Sequence, residues 1–143
     1  MRVKTVVGDD RERLAEVLRA ALGRSRLIIL TGGLGPTEDD VNREVVAEVL
    51  GRPLREVPEI RRQLEERFAR YGRAMSENNA RQALVPEGAD WLPNKQGTAP
   101  GLWIEQDGII ILLLPGPPKE LEAMFDAACL PRLARVATGE RIL

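Results

Sequence analysis

The sequence contains no histidine among its 143 residues. This absence excludes Ser-His-Asp and Cys-His triads, zinc sites with histidine ligands, and acid–base catalysis by imidazole. Any catalysis must therefore use carboxylates, backbone amides, lysine, arginine, or a metal ion held by oxygen ligands. Mg²⁺ is the compatible kind of cation, because hard cations prefer oxygen ligands in proteins.

Cysteine, long apolar runs and excess charge are also scarce. The single cysteine, Cys129, cannot form an internal disulfide, and its apolar neighbours predict a buried packing role rather than a nucleophile. No apolar run approaches the ~18 residues of a membrane span, and no signal-peptide pattern is present, so we expect a cytoplasmic protein without a membrane partner. A net charge of −1 lacks the basic excess of a nucleic-acid binder, so none is expected.

One predicted helix, beginning at Pro58, carries most of the local basic charge. Glutamates interrupt its arginines, which favours a solvated helix face over a stripe that tracks phosphates. The arginines are Arg62, Arg67, Arg70 and Arg73, and the glutamates are Glu65 and Glu66. The apolar side of the same helix is interpreted as packing surface; its residues are Ile60, Leu64, Phe68 and Tyr71.

The chain has the length of one domain, and its first half alternates between the two periodicities of secondary structure. Strands are predicted at Arg2–Val7 and Leu27–Leu30, and helices before Gly23 and from about Thr37 to Leu50. This β-α-β-α order is typical of an α/β domain with a mainly parallel sheet.

The second half predicts further short elements. Asp107-Gly108 suits the type I′ turn of a hairpin. The predicted elements are a helix at Ser76–Leu84, a strand at Trp91-Leu92, hairpin strands at Leu102–Glu105 and Ile109–Leu114, and a helix at Lys119–Leu130. Residues 1–143 are therefore expected to form a single domain, with about 132–143 as a tail or linker.

The segment Thr31–Asp40, which reads Thr-Gly-Gly-Leu-Gly-Pro-Thr-Glu-Asp-Asp, joins a predicted buried strand to a predicted helix. Such a junction presents free backbone N–H groups and the positive end of the helix dipole, which favour anions. Gly32, Gly33 and Gly35 permit positive φ and close approach of a ligand. The spacing is neither a P-loop nor G-x-G-x-x-G. We expect this loop to hold a phosphorylated, nucleotide-like ligand.

The charges within the loop modify this interpretation. Glu38, Asp39 and Asp40 bring three carboxylates, and no lysine or arginine lies between Thr31 and Asn42. A bare phosphate would be repelled, whereas a divalent cation would bridge carboxylate and phosphate. The alternative is that these acids only cap the helix, because Thr37-x-x-Asp40 matches a capping box.

Other loops are expected at the same edge of the sheet. Asp9 and Asp10 follow the first predicted strand, where one would join a carboxylate pair or merely cap the first helix. The Gly/Pro loops Asn94–Gly101 and Leu114–Pro118 are each weak evidence alone. Together with Thr31–Asp40 they suggest one crevice lined by three loops, to which Lys95, Thr98 and Lys119 would contribute polar groups.

Three motifs resemble one known family. The segments 31–40, Gly-Thr-Ala-Pro-Gly at 97–101 and Leu-Pro-Gly-Pro-Pro-Lys-Glu at 114–120 are similar to the molybdopterin-binding (MoaB/Mog-like) domain, in its CinA N-terminal branch. The resemblance implies a three-layer α/β/α fold and chemistry with Mg²⁺ or another divalent cation. Family members bind or adenylylate molybdopterin, whereas CinA-type domains are associated with ADP-ribose pyrophosphatase activity.

The resemblance also implies roles for individual residues. Asp9 and Asp40 match the family's functional aspartates, and would be both catalytic and metal-binding. The residues expected to bind substrate or phosphate are Thr31, Gly32, Gly33, Gly35, Thr98, Gly116 and Lys119.

The chain departs from the family pattern before Arg2, where members normally carry another strand and helix with a Gly-Asp-Glu motif. That strand would lie between Arg2–Val7 and Leu27–Leu30, so we expect a fragment, a misplaced start or a partner chain in the gap. A homo-oligomer is also expected.

The leading hypothesis is Mg²⁺-dependent hydrolysis of an ADP-ribose-like pyrophosphate. The alternatives are molybdopterin binding or adenylylation, and a non-catalytic binding domain. Full-length CinA proteins also carry a C-terminal deamidase domain, which these 143 residues do not include, so we do not expect deamidation from this segment.

Overall fold

The computed structural model describes residues 3–139, which alternate between helices and short strands. The helices are α1 (Arg11–Leu22), α2 (Asn42–Leu50), α3 (Pro58–Arg70), α4 (Glu77–Ala80), α5 (Pro118–Met124) and α6 (Leu130–Ala137). The strands are β1 (Leu27–Thr31), β2 (Leu54–Glu56), β3 (Leu84–Pro86), β4 (Asp90–Leu92), β5 (Gly101–Gln106) and β6 (Ile109–Leu114). None of the helices between residues 3 and 139 is long and apolar enough to span a bilayer.

The central sheet has the strand order β1-β6-β5-β4. β1 pairs with β6 in parallel, whereas β5 pairs antiparallel with both β6 and β4. The predicted hairpin joins β5 and β6, and its turn residues Asp107 and Gly108 have φ of 51° and 78°. Both values are positive, as a type I′ turn requires, so this prediction is confirmed. β2 and β3 form a separate antiparallel pair that the sequence analysis missed.

Helices cover both faces of the central sheet, and each face has its own apolar core. One core joins α1, α2 and α3 to the sheet through Leu18, Val46, Leu64, Ile111 and Leu113. The other joins the C-terminal helices to the opposite face through Trp103, Leu112, Leu114, Met124 and Cys129. The α/β class and the three-layer α/β/α arrangement are therefore confirmed.

The strand predicted at Arg2–Val7 is wrong over its described part, because residues 3–8 form no strand. Arg2 lies outside the described residues. The segment 3–9 lines a groove together with α1 and β1. A strand needs a neighbouring strand to bond its backbone groups, and this segment has none among the residues that the structure describes.

Three helix predictions need adjustment. The second helix begins at Asn42 rather than Thr37, and the helix predicted at Ser76–Leu84 ends at Ala80 before a short 3₁₀ turn. The C-terminal helix continues past Leu130 to Ala137 through a π-helical segment, Phe125–Cys129. Pro131 has no N–H to donate to the carbonyl four residues earlier, and the wider π turn accommodates this loss.

Tyr71 also differs from expectation. Ile60 and Leu64 of α3 are buried, as predicted for a packing surface. Tyr71 instead follows the end of α3, and 73% of its surface is exposed. The exposed ring of Tyr71 is therefore available to contact molecules outside the core.

β1 is an edge strand with apolar side chains in solvent. Among the described residues its outer edge has no strand partner, and Leu27 and Ile29 are 41% and 45% exposed. The parallel register places them on the same face as Ile110 and Leu112, beyond the cover of the C-terminal helices. Unpaired apolar edges promote association of chains.

We predict that Ile29→Lys lowers the concentration-dependent association of this chain, because a charged side chain at an edge opposes strand pairing. Sedimentation velocity over a range of concentrations measures the change. Val136→Lys, which alters an exposed apolar residue of α6 instead, is the matched control. Equal association of wild type and Ile29→Lys would show that the β1 edge plays no part. The expected homo-oligomer stays a prediction.

Cys129 is fully buried in the second core, which confirms its predicted packing role. Burial raises the pKa of the Cys129 thiol to about 11.

We predict that a thiol reagent at pH 8 labels the native protein at least 100-fold more slowly than the urea-unfolded chain, because the thiolate is the reactive form. Rapid labelling of the native protein would contradict this burial.

Candidate functional site

The three predicted loops follow strands that end at the same edge of the sheet. β1, β4 and β6 run in one direction, so the loops at 32–41, 93–100 and 115–117 share that edge. Gly32 lies against the 115–117 loop, since its N–H donates to the carbonyl of Leu114 at 2.9 Å. A Cβ added to Gly116 would lie 3.3 Å from the Cα of Gly32. A side chain at Gly116 would therefore require the two loops to move apart by a few tenths of an ångström.

The glycines of the Thr31–Asp40 loop serve two different purposes. Gly32 and Gly33 have φ of 83° and 65°, as the sequence predicted. Gly35 does not have a positive φ. A Cβ there would lie 2.6 Å from Oδ2 of Asp40, so a side chain at this position would displace the Asp40 carboxylate.

Asn42 fixes the first half of the loop, and the sequence analysis missed this residue. Its side-chain amide donates to the carbonyl of Gly32 at 2.7 Å, and its backbone N–H donates to the carbonyl of Gly33 at 3.1 Å. A Cβ on Gly33 would lie 2.5 Å from Cγ of Asn42. The available signal was an asparagine at the start of a helix, where its side chain commonly bonds nearby backbone.

Two arginines that lie outside the loop in the sequence also bind its carbonyl groups. Arg43 is buried, and its Nη2 donates to the carbonyl of Leu34 at 2.8 Å. Arg81 donates to the carbonyls of Thr37 and Asp40 at 2.9 and 3.3 Å. Burial lowers the pKa of Arg43 below its usual value. These guanidinium groups bind loop carbonyls and so fix the loop.

Asp40 does not cap α2 in the way that the capping box predicted. α2 begins at Asn42 after Val41, and no side chain within residues 3–139 caps it. Oδ2 of Asp40 instead accepts from the backbone N–H and the hydroxyl of Thr37, at 3.0 and 2.7 Å. These bonds close a turn within the loop. Oδ1 of Asp40 accepts no hydrogen bond from the residues that the structure describes.

Asp9 and Asp10 have separate roles. Asp10 caps α1, because its Oδ1 accepts from the backbone N–H of Arg13 at 3.1 Å. Asp9 instead lines the groove between the segment 3–9 and β1, together with Thr31, Gly33 and Asp40. The volume of this groove is about 400 Å³. The two aspartates and two of the predicted phosphate-binding residues, Thr31 and Gly33, therefore line the same groove.

Asp39 also lines this groove. Even so, residues 3–139 contain no cluster of three or more acidic or cysteine side chains that could hold a metal ion. A cation at this groove would have one or two of these carboxylates as ligands. Mg²⁺ accepts such an arrangement, because it usually retains waters and completes its shell with substrate phosphate.

The remaining predicted site residues lie elsewhere along the same edge. Thr98 lines a second cleft, formed by α3 and the loop 94–100, and Lys119 is exposed in the first turn of α5. Asn94 ties this loop to α5, since its side-chain amide donates to Glu120 at 2.8 Å. Thr98 and Lys119 thus belong to the edge but not to the groove at β1.

A family model and the most similar relatives that were compared agree on one protein family. A family model described as "Probable molybdopterin binding domain" matches residues 1–135. A CinA-like protein of Solibacter usitatus is 59% identical over 139 residues, 97% of this chain and 33% of that protein. A CinA-like protein of Gloeothece citriformis is 46% identical over 141 residues, 98% of this chain and 34% of that protein. The chain thus spans about a third of the length of these relatives.

Solved structures agree in fold. The crystal structure of CinA from Thermoplasma acidophilum, described as having unknown function, matches with a TM-score of 0.75 and 33% identity. The match covers 83% of this chain and 70% of that one. The molybdopterin biosynthesis enzyme MoaB from Thermus thermophilus matches with a TM-score of 0.52 and 24% identity, over 92% of this chain and 70% of that one. The latter likeness concerns the fold alone.

Gly33→Ala tests the close packing of the loop, and Gly51→Ala is the matched control. Both glycines have a φ near +65°, but a Cβ at Gly51 would meet nothing within 4 Å. Each alanine therefore incurs a backbone cost of about 1 kcal/mol, and only Gly33→Ala also displaces Asn42. We predict an additional loss of about 1–3 kcal/mol in the free energy of urea unfolding for Gly33→Ala. Equal losses in the two variants would contradict the proposed packing.

Proposed function

Because the chain belongs to the molybdopterin-binding domain family and to its CinA-like members, we propose that it hydrolyses the pyrophosphate of an ADP-ribose-like substrate. The observation that carries this proposal is the shared groove of Asp9, Thr31, Gly33 and Asp40. Carboxylates and a glycine-rich turn in one groove suit a phosphate group that is bound through a cation.

The Thr31–Asp40 loop would contribute to catalysis by keeping its backbone in one conformation. Asn42 and the two arginines occupy carbonyls of the loop, so ligand binding would require little rearrangement of its backbone. Fixed groups aimed at developing charge stabilise a transition state more than mobile ones do. Lys119, exposed at the start of α5, would add positive charge at the same edge.

Asp9 and Asp40 would hold Mg²⁺, and Oδ1 of Asp40 is the oxygen that hydrogen bonding to Thr37 leaves available. When bound, the cation would neutralise phosphate charge and polarise the phosphoryl oxygens. Water would add across one P–O bond of the pyrophosphate and release two phosphate monoesters, AMP and ribose 5-phosphate for ADP-ribose. The proton lost by water would pass to a carboxylate or to solvent, since the sequence has no histidine.

Molybdopterin binding or adenylylation is the second candidate, favoured by the description of the matching family model. In that reaction the same loops would hold a pterin phosphate and ATP, and pyrophosphate would leave as AMP is transferred. A binding domain without catalysis is the third candidate. It would use the groove without turnover.

Incubation of the purified chain and Mg²⁺ with ADP-ribose, and separately with molybdopterin and ATP, distinguishes these candidates. Chromatography would detect AMP in the first reaction or adenylylated pterin in the second. We expect AMP from ADP-ribose, and we expect EDTA to abolish it. Adenylylated pterin alone would favour the second candidate, and ligand binding without turnover in either reaction would favour the third.

Asp40→Asn tests the assigned carboxylate, because asparagine can still accept the hydrogen bonds from Thr37. We predict a loss of AMP release on the order of 100-fold, since a metal ion contributes several kcal/mol to transition-state stabilisation. Glu38→Gln is the matched control, because Glu38 is exposed in the same loop and does not line the groove. Undiminished turnover in Asp40→Asn would refute the role of Asp40.

A further inference from the structure

A second cavity of about 450 Å³ lies between α3 and the loop 94–100. Its volume falls within the ~300–1,000 Å³ that is usual for small-molecule sites. Arg67, Arg70 and Lys95 line it, together with Tyr71 and Trp91. We call this cavity the basic cleft. We propose that the basic cleft binds a phosphate monoester that carries a flat aromatic ring, such as a nucleoside monophosphate.

The first support is the local excess of positive charge in a chain whose net charge is −1. Glu66 is the acidic residue in the wall, and its carboxylate pairs with Arg62 outside the cleft at 2.8 Å. Within residues 3–139, neither Arg70 nor Lys95 forms an ion pair. Their charge is thus available to an anion.

The second support is that these cations come from different elements. Arginines in the last turn of α3 would also stabilise the helix dipole without any ligand. That role does not account for Lys95, which the loop 94–100 contributes. Nor does it account for Arg67, whose Nη1 crosses the cleft and donates to the carbonyl of Gly97 at 2.9 Å. The two walls are therefore joined by a hydrogen bond with basic side chains on either side.

The third support is the aromatic character of the same walls. Tyr71 is 73% exposed, and Trp91 is half-buried at the cleft. A base stacks on such rings through its π face, while arginine and lysine bind the phosphate. Because exposed Tyr71 lies in the same cleft as Arg70 and Lys95, we expect the cleft to bind a phosphate that carries an aromatic ring more tightly than a simple anion.

The inference goes beyond the proposed function and does not rest on it, because the basic cleft contains neither Asp9 nor Asp40. Thr98, however, lines the cleft, and its loop is tied to α5 through Asn94 and Glu120. The cleft therefore adjoins the edge of the sheet where the other two loops lie.

Calorimetric titration of the full chain with AMP, ribose 5-phosphate and adenosine tests the proposal. We expect AMP to bind more tightly than either fragment. Arg70→Ala combined with Lys95→Ala should weaken AMP binding by about 10-fold or more, since two charge-assisted hydrogen bonds are lost. Tyr71→Ala should weaken AMP binding about 5-fold and leave ribose 5-phosphate unchanged, because only the base stacks.

Two controls separate this cleft from the groove at β1. Arg55→Ala removes an exposed arginine of β2 that lies outside the cleft, and should leave AMP binding unchanged. The second control is EDTA in the titration buffer, because it removes cation-dependent binding of AMP at the groove. Undiminished AMP binding in the double variant would overturn the proposal. Loss of AMP binding in EDTA but not in the double variant would assign AMP to the groove and would equally overturn it.

Discussion

The hydrogen bonds from Asn42, Arg43 and Arg81 to loop carbonyls are the interactions on which the candidate site depends. The loop between β1 and α2 has no regular secondary structure, so its backbone groups need partners outside any ladder. Buried polar groups without partners are costly, and the buried guanidinium of Arg43 supplies a donor to the carbonyl of Leu34. The positive φ of Gly32 and Gly33 is then maintained by the surrounding bonds rather than by glycine alone.

The edge position of β1 gives the groove its character. A strand that is paired on one side leaves a row of backbone groups on the other, and the segment 3–9 lies opposite without pairing. The aspartate at the end of this segment, Asp9, lines the same groove as Gly33 of the glycine-rich loop. The same geometry exposes Leu27 and Ile29. One edge of the sheet therefore combines a polar site at its carboxyl end with an apolar surface along its length.

Charge is distributed unevenly although the chain as a whole is nearly neutral. Asp9, Asp39 and Asp40 line the groove, whereas Arg67, Arg70 and Lys95 line the cleft beside α3. The fold separates arginines that look alike in the sequence: Arg62 is neutralised by Glu66 on the helix surface, whereas Arg67 and Arg70 face the loop 94–100. A composition that argues against nucleic acid as a partner is thus compatible with a local site for a small anion.

The sequence by itself determined the elements with strong local signals. The apolar run of β1, the Asp107-Gly108 turn and the periodicity of α1 and α3 depend on short-range preferences, and the layers follow from them. Tertiary structure decided where α2 begins, whether residues 3–7 form a strand, and which groups bind the glycine-rich loop. Those outcomes depend on contacts between distant residues, such as Arg81 with Thr37, and on whether a neighbouring strand is available. The spacing of residues along the chain predicts neither these contacts nor the neighbouring strand, because hydrogen-bond partners depend on which groups the fold places close together.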